Sequence, residues 1–213
     1  MADFRAIADA VMAGKAPAVK QMVTDALAEG VSAEALLNDG LVVGMTELGI
    51  LFKNNEVYVP EVLIAARAMK AGTEILKPLL AAANVQAIGT VAVGTVKGDL
   101  HDIGKNLVAM MLEGTGFKVI DLGIDVSPEK FLDAAVNQGA QILGLSALLT
   151  TTMPSIKDTI EALNAAGMRD KVKVMIGGAP VTQSYADEVG ADGYSSDAAS
   201  AADLAKELIK LVS

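Results

Sequence analysis

The 213-residue sequence has no cysteine, no tryptophan and a single histidine, His101. Without thiols there is no disulfide framework and no thiolate chemistry. One imidazole alone cannot assemble the tetrahedral nitrogen–sulfur site of a protein-bound zinc. It can still give one axial ligand to a metal that arrives with its own ring of nitrogens. A formal charge of −9, with no tryptophan and no basic cluster, argues against a nucleic-acid surface. Lys, Asp or Glu interrupts every stretch long enough to span a bilayer, so no membrane segment is expected. Asp3, Arg5 and Asp9 break up the N-terminal region, and no signal peptide is visible there. These absences describe an acidic, soluble, cytoplasmic protein.

What is abundant is aliphatic. Hydrophobic residues make up 52% of the chain and aromatics only 3%, a composition suited to helices packed on each other or on a parallel sheet. The first eighty or so residues carry only helical periodicity. Phe4, Ile7, Ala8 and Val11 end at Gly14. Pro17 opens a run through Val19, Met22 and Val23 that stops at Gly30. Ser32 is placed to cap a third helix through Leu37, Leu41, Met45, Leu48 and Phe52, and Pro60 opens a fourth through Leu63 and Met69 to Leu76. Short connections make this an antiparallel bundle, residues 1–87. The methionines that can be placed fall mainly at helical core positions and read as filler. Tyr58 reads as packing rather than chemistry.

From Ile88 onward the period changes, and residues 88–213 read as a second domain. IGTVAVG, FKVIDLG, QILGLS and KVKVMIGG are short Val- and Ile-rich runs, ADGYSS is a weaker fifth, and helical stretches separate them. Strict alternation of strand and helix implies an α/β architecture with a parallel sheet covered on both faces. Five such units fit the flavodoxin-like order 2-1-3-4-5, whose ligand crevice lies at the carboxyl ends of the first and third strands. The loop after the first strand holds His101. The loop after the third holds Ser146, Thr150, Thr151 and Thr152, and Gly177 and Gly178 end the fourth.

Three familiar occupants of such a crevice fail on a required residue. There is no hydroxyl-rich phosphate loop with aromatics for a flavin, no Asp at Leu145-Ser146 for a phosphorylated receiver, and no GxGxxG for a dinucleotide. Asp99 and His101 are two apart, close enough for a turn to join them as a metal-ligating imidazole and its carboxylate partner. A lone histidine between two aspartates is also an ordinary loop or capping feature, and spacing alone leaves both readings open.

DLHDIG, running from Asp99 through His101 and Asp102 to Gly104, matches the D-x-H-x-x-G motif of cobalamin-binding domains. GLSALLT and MIGGAP resemble that family's S-x-L and G-G elements in the right order. FKNNEVYVPEVLIAARAMK resembles the helical cap that precedes the domain in cobalamin-dependent methionine synthase and in corrinoid proteins. The chain therefore resembles, over essentially its whole length, a stand-alone corrinoid protein of methanol, methylamine or methyl-ether methyltransferase systems. The resemblance implies that His101 is the lower axial ligand of a cobalamin or related corrinoid bound base-off/His-on, with Asp99 hydrogen-bonded to it. Thr152 stands where methionine synthase has a serine, so Asp99 and Thr152 form a relay able to take up a proton. Gly98, Asp102 and Gly104 flank the ligand. Ser146, Leu148 and Thr150 resemble residues around the nucleotide tail, for which Gly177 and Gly178 leave room. Phe52, Val59 and Val62 align with the cap over the cofactor's upper face, with a hinge near Ala83 to Ala87.

The implied activity is that of a methyl carrier rather than a complete enzyme. Cob(I)alamin takes a methyl group from a substrate-specific methyltransferase, and the methylcobalamin form donates it through a second methyltransferase to tetrahydrofolate or coenzyme M. A reductive activase is the third implied partner; nucleic acid and membrane are not expected. Donor specificity would then reside in the partner. A cobalamin-based sensor, or the cobalamin-binding subunit of an adenosylcobalamin mutase, would share the motif. The helical cap argues against the mutase; the lack of a DNA-binding module and of a bundle tryptophan argues against the sensor.

Overall fold

Proline and glycine punctuation becomes helix starts and stops along the first part of the chain. The structure, a computed structural model, describes residues 3–212. α1 (Phe4–Met12) is capped by Asp3, whose carboxylate accepts the Ala6 N–H at 3.0 Å. α2 (Ala16–Ala28) carries Pro17 in its first turn, where its missing N–H costs nothing. Ser32 caps the short α3 (Ala33–Ala35), which continues through a π-helical turn at Leu36–Leu41 into α4 (Val42–Lys53). Periodicity predicts one regular α-helix here. Asn38, Asp39 and Gly40 are weak helix formers, so the i→i−4 ladder has little there to resist the wider turn. α5 (Val59–Ala82) begins around Pro60 and runs past the expected Leu76 end, through Pro78.

By length and composition alone, the stretch Ala33–Lys53 passes as membrane-spanning. Its Leu36, Leu41, Met45 and Leu48 are buried, forming the inner stripe of a core helix. The chain divides into two compact units: one reaches Ala87 and includes Gly114–Gly116, the other comprises Ile88–Glu113 and the residues from Phe117 on.

The second unit alternates strand and helix throughout. In order come β1 (Thr90–Val96), α6 (Ile103–Gly114), β2 (Lys118–Val126), α7 (Pro128–Asn137) and β3 (Ile142–Ser146). α8 (Pro154–Ala165), β4 (Lys173–Gly177), α9 (Gln183–Val189), β5 (Gly193–Tyr194) and α10 (Ala198–Leu208) follow. All strands are parallel in the order β2-β1-β3-β4-β5, the order the alternating pattern predicts. Phe131, Leu143, Ile156, Leu163 and Ile176 are buried in its core. β1 starts two residues later than its apolar run and extends to Val96. Register aligns Thr95 with Ser146 and Ser146 with Gly177, so β1, β3 and β4 end level at one edge. That edge is where a ligand of this fold sits.

α10 is fastened by Asp197, which accepts the Ser200 N–H at 2.8 Å and the Ser200 hydroxyl at 2.6 Å. Burial opposes the charge on Asp197, but these bonds outweigh it and hold its carboxyl below the usual range. A carboxyl whose folded-state pKa is depressed contributes stability that is present above its unfolded value, about 3.9, and is lost as pH falls. Asp197→Ala should cost about 1 kcal/mol at neutral pH. Thermal unfolding of both proteins from neutral pH to about pH 3 should show the gap shrinking below about pH 4. A gap independent of pH would contradict this role.

Candidate functional site

Residues 97–104 leave β1 at the level edge and are exposed except for Asp99, which is fully buried. The turn requires a positive φ at Gly98, +83°, which a side chain would strain. Its polar groups are tied down one by one. The Asp99 N–H donates to the Val96 carbonyl at 3.0 Å. Ser155 Oγ donates to the Lys97 carbonyl at 3.0 Å, and the buried Thr95 Oγ1 donates to the His101 carbonyl at 2.9 Å. The loop's backbone groups are thus held by the protein itself.

Asp99 is the hub. Its Oδ1 accepts the His101 N–H at 3.0 Å and contacts His101 Nδ1 at 2.7 Å. Its Oδ2 accepts the Leu148 N–H and the Thr152 hydroxyl, both at 2.7 Å. Burial works against ionisation, yet the bonds from Thr152, the two backbone N–H groups and the ring outweigh it. They hold the carboxyl well below the usual carboxylate range. Thr152 Oγ1 also lies 2.9 Å from the Leu149 carbonyl. A hydroxyl has one proton, and the charged acceptor takes it.

An ionised carboxylate only accepts hydrogen bonds, so Nδ1 of the His101 ring must carry its proton. In the neutral ring Nε2 then carries the lone pair, and among the described residues no hydrogen bond is made to it. The imidazole side chain is 50% exposed against 0% for its carboxylate partner. Around it the same loops expose large apolar groups: Leu100 at 66%, Ile103 at 78%, Leu148 at 41% and Leu149 at 43%. Fully covering an aliphatic side chain of this size is worth about 1.5–3 kcal/mol. A Cβ added at Gly104 would meet nothing within 4 Å, leaving a flat approach at the start of α6. Among the described residues no group of three or more His, Cys, Asp or Glu side chains is placed to hold a metal. A metal seated on Nε2 must bring its other ligands with it, and a broad apolar macrocycle suits the surface around the ring.

Of the other predicted site residues, Ser146 and Gly177 are half-buried at the ends of β3 and β4, and Thr150 is exposed in the following loop. Gly178 is sterically obligatory: at φ +126° an added Cβ would fall 1.8 Å from the Ala147 carbonyl oxygen. Asp102 does not touch the ring; it accepts from Asn106 Nδ2 at 3.0 Å in the first turn of α6. Phe52 (half-buried), Val59 (exposed) and Val62 (buried) belong to the helical unit. Residues 83–89 form no helix or strand. Sequence reasoning missed Thr95, Ser155 and Asp125, which act on backbone groups of the loop. The one available signal was weak: an aspartate near the end of an apolar strand, Asp125 in GIDV.

Two family models, both described as B12 binding domain, match residues 89–203 and 4–77. Dimethylamine corrinoid protein 1 of Methanosarcina acetivorans is 45% identical over 204 residues, covering 95% of each chain. Further Methanosarcina proteins with dimethylamine corrinoid names are 41% to 48% identical. A cobalamin-binding protein from Desulfitobacterium hafniense has a solved structure that superposes with a TM-score of 0.83 at 33% identity, covering 98% of this chain and 99% of that one. The methanol:cobalamin methyltransferase complex of Methanosarcina barkeri gives 0.86 at 33% identity, covering 96% of this chain and 78% of the matched one. The chain belongs to the B12-binding corrinoid proteins of methylamine and methanol methyltransferase systems.

Thr152→Val keeps the shape and removes one of four donors from a buried carboxylate. Unfolding of the cofactor-free protein in denaturant should show a loss of about 1–3 kcal/mol, with Thr152→Ser restoring most of it. Equal stability of the valine variant and wild type would show that the hydroxyl adds nothing.

Proposed function

We propose that this chain is the methyl-carrying subunit of a methylamine-type methyltransferase system, with dimethylamine as the donor, and that His101 Nε2 is the protein ligand to the cobalt of its corrinoid. What carries the reading is the His101 ring itself: Nδ1 held by a buried carboxylate, the ring half-exposed, and exposed Leu100, Ile103, Leu148 and Leu149 on the same two loops. A bound corrinoid supplies a cobalt centre able to accept a methyl group and give it up.

As a member of its family the chain is a carrier, and the residues around His101 bind, orient and tune. His101 would hold the cobalt in place of the cofactor's own dimethylbenzimidazole, the base-off/His-on mode. Asp99 fixes the tautomer and ring direction and raises the basicity of Nε2. Thr152 and the Leu148 N–H keep Asp99 charged. Leu100 and Ile103 give the macrocycle an apolar floor. Gly177 and Gly178, with Ser146, Leu148 and Thr150, would line the edge that receives the cofactor's nucleotide tail. The partners are a methyltransferase that delivers the donor's methyl group, a second that passes it to tetrahydrofolate or coenzyme M, and a reductive activase, all in the cytoplasm. The names of the curated relatives support dimethylamine over methanol: identity to them reaches 41–48%, against 33% to the methanol-system structure.

Two measurements test this. His101→Ala, reconstituted with hydroxocobalamin, should retain cofactor through contacts to the corrin and its tail yet change its visible spectrum; an unchanged spectrum contradicts ligation. Wild type, loaded and reduced, should be methylated faster by a dimethylamine:corrinoid methyltransferase than by a methanol:corrinoid methyltransferase. The reverse order assigns the chain to a methanol system.

A further inference from the structure

β2 falls out of step with β1 just beside the ligand loop. Val93 pairs with Asp121, but Gly94 pairs with Gly123 and Val96 with Val126. β2 therefore carries surplus residues over this span, and they are accommodated in left-handed conformation: Gly123 at φ +86° and Asp125 at φ +50°. The irregularity is pinned at several points. Asp121 Oδ1 accepts the Gly123 N–H at 2.9 Å and the buried Lys105 Nζ at 2.6 Å, and Lys130 Nζ donates to the Leu122 carbonyl at 2.7 Å. Bulges of this kind re-aim a residue toward a neighbouring site.

Here the re-aimed residue is Asp125. Its N–H donates to the Asp99 carbonyl at 3.0 Å, and its Oδ1 accepts the Gly98 N–H at 2.7 Å. One residue thus grips the loop on both sides of the Gly98–Asp99 peptide, the unit from which the Asp99 side chain reaches His101. Glycine would serve the left-handed conformation more cheaply. Aspartate tolerates it and adds the acceptor that glycine lacks.

We infer that Asp125 is a positioning residue for His101: it fixes the Gly98–Asp99 turn, and through it the tautomer and direction of the imidazole. It contacts neither the ring nor Thr152. For the cofactor, the inference rests on His101 being the cobalt ligand; for the tautomer, it stands on the protein alone.

Because the chain has one histidine, [15N]histidine labels a single imidazole. Long-range proton–nitrogen correlation on the cofactor-free protein, at about pH 8 where a free imidazole is neutral, reads its tautomer. Wild type should show Nδ1–H alone. Asp125→Asn, which keeps the left-handed tolerance and an acceptor oxygen, should match it. Asp125→Gly, which keeps the backbone conformation and removes the acceptor, should show a mixture with Nε2–H, an unchanged melting temperature and about 10-fold weaker hydroxocobalamin binding. Wild-type nitrogen shifts in the glycine variant overturn the inference. So does an unfolded glycine variant, since Asp125 would then be a determinant of the fold. A tautomer mixture with undiminished hydroxocobalamin binding would leave Asp125 positioning the ring and count against His101 as the ligand.

Discussion

The site depends on one buried carboxylate with four donors. Asp99 takes two hydrogen bonds on each oxygen, from His101 twice, Leu148 and Thr152. An isolated buried charge is expensive, and this one is kept charged only because each oxygen is satisfied. The arrangement has a directional consequence: in the neutral ring an acceptor-only group facing Nδ1 selects the tautomer whose lone pair lies on Nε2. The same carboxylate that joins the β1 and β3 loops thereby sets which ring nitrogen is left for the proposed bond to cobalt.

Asp99 is in place because the sheet puts it there. The level ends of β1, β3 and β4 bring the loop holding His101 beside the loop holding Leu148 and Thr152. Thr95 and Ser155 then fix the backbone of the first loop from beneath and beside it, and the irregular end of β2 grips it from the other flank. Rigid placement of a ligand on loops needs this density of backbone bonds, because a loop lacks the repeating ladder of a helix or strand. The exposed Leu100 and Ile103 are the complement: polar groups are satisfied inward while apolar ones are left outward for a ligand to cover.

The strand order was legible because alternating strand and helix leaves few parallel topologies, and His101 stood out by being alone. The Asp99 partnership was legible from a spacing of two residues. The strand order brought the third-strand loop's hydroxyls to the same crevice, but which of them meets Asp99 came only with the family resemblance, since 53 residues separate Thr152 from Asp99. Asp125 and Ser155 were hidden because they bond backbone groups 27 and 58 residues away, and such bonds leave no periodicity in a sequence. The π-helical turn at Leu36–Leu41 was masked by an apolar period that an α-helix would also produce. Leu100 and Ile103 carry no mark in the sequence, because the exposure of a loop aliphatic is set by the fold around it.

On the proposed function, one imidazole nitrogen of this chain binds cobalt. Electron paramagnetic resonance of the cob(II) protein tests it directly, comparing unlabelled protein with protein containing [15N]histidine at its single site. If His101 is the ligand, the three-line splitting from 14N becomes a two-line splitting in the labelled sample. A splitting that stays three-line would mean that the cofactor's own base, not His101, remains on the metal.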